Sequence, residues 1–331
     1  MKTVSETAQA QRRSRRRSPH RSSRKASLRR APAALATAAL ALAALLIAGA
    51  SAAPAQGPVI LFGIDGMSPA GVAAARTPNM HALIAAGSST MHARSVIPTV
   101  SSPNWAAMIM GAPTELTGVD SNDWQPNHHG INPVCEGAPG VFPTLFGIAH
   151  AQHPTQKIGV FTDWPDYTRL FEPGAVTRVY SVDEKEDDAF NHALSYLTAE
   201  KPEILFIHLD NVDNAGHTFG WGSPQYLAAI EKVDGMLGRL EKALDDAHLR
   251  ETTTLLMTAD HGGIDKKHGG FTMQEIEIPW MIAGPGIRAG HTVETHVLQF
   301  DTAGTLAHVL RLQPSPCWRA QPVLEVFTAA Q

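Results

Sequence analysis

From residue 58 onward, short apolar, β-branched runs alternate with longer stretches of helical periodicity. Residues 58–64 (PVILFGI), 157–161, 176–180, 203–209 (EILFIHL), 252–258 and 278–283 (IPWMIA) each predict a buried strand, and 91–99 alternates well enough for another. Between them, 77–87, 142–152, 183–199, 224–248 and 302–312 carry helical patterns. Thr77 is placed to cap the first of these, Pro78 takes its opening position and Gly87 stops it. Ser101 to Met108 reads as a loop turning into a helix, with Pro103 near the first turn. Strands alternating with helices predict an α/β fold: a three-layer α/β/α sandwich around a mostly parallel central sheet. Residues 111–140, rich in Gly, Pro, Asn and His, predict a long surface loop, and loops of that length are commonly functional.

The segment before residue 53 is of another kind. Residues 31–52 carry no charge and are mostly Ala and Leu, behind a basic head and ahead of Ala50-Ser51-Ala52. This predicts a signal peptide over residues 1–52, cleavage before Ala53 and a periplasmic or secreted single domain over 53–331. An uncleaved membrane anchor is the alternative for the apolar run, and a nucleic-acid tail the alternative for the arginine-rich head. Of 27 basic and 31 acidic residues, the first thirty positions hold 11 basic and one acidic, which leaves 16 against 30 and a body near −14. So acidic a body is a poor nonspecific nucleic-acid binder. Membrane association would come only through the N-terminal segment. Cys135 and Cys317 allow one disulfide in an oxidising compartment or two free thiols, and exclude a cysteine metal site.

The chemistry lies where the apolar runs stop. Residues 58–64 lead into Asp65, 203–209 into Asp210 and Asp213, and 252–258 into Asp260-His261-Gly262. In a parallel sheet these strand ends share one edge, the edge at which open α/β folds bind ligands. Carboxylates gathered there call for a compensating charge, and divalent cations are the usual one. Asp213 and His217, four apart, share a helical face, and His268 joins them as a second imidazole. Asp65, Asp260 and His261 make the other set. Asp210 is a spare, since Asp213 owns the Gly-His partner. Mixed oxygen and nitrogen donors without sulfur suit Zn2+, with manganese or iron as alternatives and calcium disfavoured. Two such sites about 4 Å apart would clamp a phosphoryl group and activate an oxygen nucleophile.

Asp65 after a strand, a hydroxyl ahead of Pro103-Asn104, Asp213-x-x-x-His217, Asp260-His261-Gly262 and His268-Gly269 together resemble the alkaline phosphatase superfamily, and within it the type I phosphodiesterase/nucleotide pyrophosphatase branch. The resemblance covers about residues 58–290. It implies hydrolysis of phosphodiester or pyrophosphate bonds through a covalent phosphoseryl-type intermediate, with two divalent ions as cofactors. Carried onto this chain, it implies Ser101 as nucleophile and ligand of the first site, Ser102 in a slot that relatives fill with an apolar residue, and Asn104 as the phosphate-binding amide. Thr99 and Ser102 are the competing hydroxyls. Trp105 departs from relatives that carry His or an aliphatic residue there. No Cys-x-Pro-x-Arg sulfatase signature is present. No carboxylate for a third metal and no arginine beside Ser101 stand out, which favours diesters over monoesters. A phosphomonoesterase or a phosphonoacetate-type C–P hydrolase on the same site is the alternative, and a catalytically silent binding protein a more distant one.

Other residues are weaker candidates. Trp124, beside Asn122 and Asp123 in the long loop, could stack on a leaving group, although a packed turn is the plainer reading. Asp163 at another strand end could line the pocket. His128 and His129 read as exposed loop polarity, with a metal contact as the alternative, and Lys266 and Lys267 as solvated lysines or as charge for a phosphate.

Overall fold

The computed structural model describes residues 57–128, 130–137 and 140–328, so the expected leader over 1–52, and His129, lie outside the described residues. The strands are β1 (Val59–Ile64), β2 (Ser88–Arg94), β3 (Ile158–Thr162), β4 (Arg178–Ser181), β5 (Ile204–Leu209), β6 (Thr254–Ala259), β7 (Glu277–Ala283) and the short β8 (His291–Thr292). The helices are α1 (Pro69–Ala74), α2 (Pro78–Ala86), α3 (Ser101–Met110), α4 (Thr114–Thr117), α5 (Leu145–Gln152), α6 (Glu186–Glu200), α7 (Asn211–Phe219), α8 (Pro224–Asp246), α9 (Met273–Ile276) and α10 (Asp301–Val309). Among the described residues none is long and apolar enough to cross a membrane.

The strands form one sheet in the order β4-β3-β5-β1-β6-β7-β2-β8. The first five run parallel, while β7 is antiparallel to both β6 and β2. β1, β5 and β6 are buried at every position, which is why their sequences are continuous apolar runs rather than alternating ones. Helices cover both faces. α8 packs with α1, α2, α6 and α7, and α3 packs with α4, α5 and α10. The architecture is the three-layer α/β/α sandwich expected from the alternation, with a mixed, mostly parallel sheet.

Two elements differ from the sequence pattern. The strand expected over 91–99 lies at Ser88–Arg94. Pro98 has no amide hydrogen for a ladder, and residues 95–100 instead form a linker that delivers the chain to α3. The Asp213/His217 turn is part of a full helix, α7, capped by Asp210. The long loop is anchored rather than free: it contains α4, buries Val119 and Trp124, and is tied by a Cys135–Cys317 disulfide with a Cα–Cα distance of 6.2 Å.

That disulfide spans a sequence separation of 182 residues. Replacing both cysteines by serine is expected to lower the unfolding free energy by about 2–5 kcal/mol. Denaturant unfolding of wild type and the double variant checks this, and an unchanged midpoint would contradict it.

Candidate metal centre

β1 lies between β5 and β6, and Ile64 pairs with Leu209 on one side and Ala259 on the other. The next residue of each strand is an aspartate, so Asp65, Asp210 and Asp260 leave the sheet side by side. Gly66, at φ +67°, then turns the chain where a Cβ would stand within 2.9 Å of Asp213. The Gly66 N–H donates to Asp260 Oδ1 at 3.1 Å, and its carbonyl accepts from Trp221 Nε1 and the Tyr226 hydroxyl. Asp260 Oδ1 also takes the His261 N–H at 2.9 Å.

The residues expected to form the first set come together. His261 Nε2 lies 3.1 Å from Asp260 Oδ2, 3.5 Å from Asp65 Oδ1 and 3.4 Å from Ser101 Oγ. The second set also assembles: His217 Nε2 is 3.2 Å from Asp213 Oδ2, His268 Nε2 is 3.7 Å from Asp213 Oδ1, and the two imidazole Nε2 atoms are 3.0 Å apart. The His261 and His268 rings stack at 3.8 Å, so the two sets abut.

Each of the three histidines presents its other nitrogen to a main-chain carbonyl. His217 Nδ1 meets Lys266 O at 3.0 Å, His261 Nδ1 meets Gly262 O at 2.9 Å, and His268 Nδ1 meets Thr99 O at 2.7 Å. A carbonyl only accepts, so each Nδ1 carries a proton and each ring turns its Nε2 inward, the arrangement typical of metal-ligating histidines; at His217 a second proton, shared with Asp213, must leave before Nε2 can ligate. Asp65 Oδ1, Asp213 Oδ1 and Asp260 Oδ2 are buried without a hydrogen-bond partner. Unpaired carboxylate oxygens facing imidazole Nε2 atoms are a donor set that fits divalent cations. Two groups, Asp65/Asp260/His261 and Asp213/His261/His268, have ligand atoms close enough to share an ion. A third group, Asp65/Asp210/Asp213, adds the spare carboxylate, which was not expected to have a metal role.

The metal-free electrostatics show the strain of this crowding. Burial alone would raise the Asp65 carboxyl, but the hydrogen bond from His208 and the nearby His261 outweigh it and hold the group below the ordinary carboxylate range. Asp260 moves the other way, raised by burial and then by the charge on Asp65. Asp210 is pushed up to about 9 by burial and the charges of Asp65, Asp213 and Asp163. The hydrogen bond to Asp213 raises His217 to about 9, while burial and then His268 lower His261 to about 4.

Among the hydroxyls, Ser101 is the one that faces His261. It occupies the first position of α3, with Val100 as N-cap. Ser102 Oγ accepts from Arg169, and Thr99 Oγ1 donates to Gly270 O while accepting the Gly269 N–H. Asn104 departs from its expected role as phosphate contact. It is fully buried, its Nδ2 donates to Pro98 O and Val100 O, and its Oδ1 accepts from Val96 N, so the amide fastens the linker ahead of Ser101. The side-chain amide at the start of α3 is that of Asn122, whose Oδ1 accepts the Ser102 N–H at 2.8 Å. Trp124 is only 2% exposed, so it belongs to the core and not to a stacking platform. Asp163 is also buried. It receives the Asp210 N–H at 2.9 Å and supports the strand end from beneath, with burial pushing it up to about 6. His128 is exposed, as is Lys267; Lys266 donates from Nζ to Thr218 O at 2.8 Å, at the C-terminal end of α7.

The parts played by three residues escaped the sequence reading. Arg169 donates to Ser102 Oγ at 3.3 Å and to Asn122 O, and pairs with Asp166, so an arginine does stand one residue from Ser101. His208, fully buried on β5, lies 3.4 Å from Asp65 Oδ2, and Trp105 Nε1 donates to that same oxygen at 2.9 Å. The signal for His208 was an imidazole inside an otherwise apolar strand.

Residues 59–278 match the family model described as type I phosphodiesterase/nucleotide pyrophosphatase. Among curated proteins, the chain is 25% identical over 218 residues to a venom phosphodiesterase of Macrovipera lebetinus, covering 62% of this chain and 26% of that protein. It is 24% identical over 224 residues to human ectonucleotide pyrophosphatase/phosphodiesterase family member 1, covering 62% and 23%. The chain thus spans about a quarter of the length of these relatives. Among solved structures, murine ectonucleotide pyrophosphatase/phosphodiesterase 5, an inactive form in complex with AMP, superposes with a TM-score of 0.69 at 17% identity, over 82% of this chain and all of that one. A 2-O GAG sulfatase does so at 0.66 and 16%, over 83% and 75%. At these identities the superpositions speak for the fold alone.

Because His217 holds its proton up to about pH 9 in the metal-free protein, a cation must displace that proton to bind. Metal affinity is therefore expected to rise as pH increases from 7 toward 9, by about tenfold per unit for each proton released. Competition with a chromophoric chelator at pH 7 and 8.5 measures it. An affinity independent of pH over that interval would contradict the assignment.

Proposed function

The chain belongs to the type I phosphodiesterase/nucleotide pyrophosphatase family, and from that membership we propose that it is an exported metallohydrolase that cleaves phosphodiester or pyrophosphate bonds. Asp65, Asp260 and His261, with Ser101, would hold one divalent cation, and Asp213, His217 and His268 the other. Zn2+ is the best fit to the donor set. The observation that carries this reading is the 3.0 Å approach of the His217 and His268 Nε2 atoms while both Nδ1 atoms are engaged on carbonyls. Two lone pairs so placed need a cation or a proton between them. The exported location rests on the leader expected over residues 1–52, and the Cys135–Cys317 disulfide suits an oxidising compartment.

When bound, the cations supply positive charge for the phosphoryl oxygens and a lower pKa for the attacking hydroxyl. Ser101 Oγ attacks phosphorus, the bond to the leaving-group oxygen breaks, and a phosphoseryl ester persists until water hydrolyses it. The first turn of α3 places the positive end of a helix dipole at that ester. Asn122, rather than Asn104, supplies the amide that meets a phosphoryl oxygen, its carbonyl end being held by the Ser102 N–H. The AMP in the murine relative makes a nucleotide the first natural compound to try.

Arg169 favours a second reading, phosphomonoester hydrolysis, because a guanidinium one residue from the nucleophile suits a dianion. Turnover of bis-p-nitrophenyl phosphate against p-nitrophenyl phosphate separates the two: the diester is expected to be preferred, and a clear monoester preference overturns the diesterase reading. Ser101→Ala is expected to lower turnover at least about 10³-fold. A variant with wild-type turnover would remove Ser101 from the mechanism. Metal analysis of the same preparations should find two equivalents, and a metal-free, inactive protein would instead mark a silent binding fold.

A further inference from the structure

Trp105 and His208 converge on one oxygen of one carboxylate. Trp105 Nε1 donates to Asp65 Oδ2 at 2.9 Å, and His208 Nε2 stands 3.4 Å from the same atom. An ionised carboxylate only accepts, so both nitrogens direct a hydrogen at it. The two rings are fully buried and meet edge to face with centroids 4.7 Å apart. Tyr167 stacks on His208 at 5.6 Å and meets the Trp105 ring edge-on at 6.3 Å, while Thr162 Oγ1 lies 3.0 Å from His208 Nδ1. Gly63 makes the arrangement possible, since a Cβ there would come within 2.6 Å of the indole. The other oxygen, Asp65 Oδ1, has no hydrogen-bond partner and faces His261 Nε2 at 3.5 Å.

An aspartate can meet a divalent cation with one oxygen or with both. Two donors on Oδ2, in rings packed too tightly to swing away, fix the carboxylate plane and leave only Oδ1 facing the centre. We propose that Trp105 and His208 are positioning residues that confine Asp65 to a single metal-facing oxygen. The inference rests on the reading above that Asp65 is a ligand. Its consequence is a low coordination number at the cation shared with Asp260 and His261, which keeps a place open for Ser101 and the phosphoryl group. Neither ring reaches the surface. Without them Asp65 is free to chelate through both oxygens and fill that place.

The test uses Trp105→Phe, which keeps an apolar ring and removes the donor, His208→Leu, which removes the second donor, His208→Gln, which retains an N–H, and Asp65→Ala as reference. Thermal melting of the metal-free proteins reports folding. Zn2+ affinity is read by chelator competition, and coordination by the visible absorption of the Co2+-loaded forms, which is stronger for four-coordinate than for five- or six-coordinate ions. Trp105→Phe and His208→Leu are expected to keep a capacity for two ions, to change the affinity for one of them about tenfold, and to weaken the Co2+ absorption. His208→Gln should restore most of both. Wild-type affinity and spectrum in Trp105→Phe and His208→Leu, with one ion lost in Asp65→Ala, would refute the positioning role and leave Asp65 a ligand. Two ions and a wild-type spectrum in Asp65→Ala would sink the ligand assignment and the positioning role with it. Should Trp105→Phe fail to fold, the His208→Leu and His208→Gln pair decides.

Discussion

Negative charge forced together by strand register is the constraint on which this structure turns. Asp65, Asp210 and Asp260 follow three adjacent parallel strands in register, and Asp213 joins them from the first turn of α7. Removing such groups from water is costly unless something positive accompanies them. The protein meets part of that need internally. Trp105 and His208 hold Asp65, the backbone of Gly66 and His261 holds Asp260, and Asp213 draws a proton onto His217. Three carboxylate oxygens still have no partner, and all three face the imidazoles. The centre is therefore built around a shortage of positive charge, which divalent cations would fill.

Much of this was legible in the sequence because it depends on local rules. A run such as PVILFGI or TTTLLMT shows a buried strand by composition alone, and the residue after it is on the ligand edge by topology. The i, i+4 spacing of Asp213 and His217 needed only helical geometry. The Cys135–Cys317 pairing remained open because two cysteines fix a possibility and not a distance. Strand and helix ends shifted by a few residues, and the one larger displacement, at β2, follows from Pro98.

What the sequence hid are contacts made across loops. Asn104 and Asn122 are both asparagines close to Ser101 in space, and only the tertiary path decides which one fastens the linker and which one stands at the helix start. Arg169 reaches Ser102 across 67 residues, from the turn after β3. No spacing rule marks such a residue. Trp105 appeared as a departure from relatives, and its meaning emerged only with its partner His208 on a distant strand, both on one oxygen of Asp65.

The place of β1 at the middle of the sheet governs how the molecule can be made. Its two neighbours, β5 and β6, end at Leu209 and Ala259, so a chain emerging from its amino end presents PVILFGI long before either flank exists. Assembly is consequently dominated by distant pairings, which fold slowly and leave a sticky segment uncovered in the interim. Folding that waits until both flanking strands are available suits this topology, whereas stepwise compaction from the amino end does not.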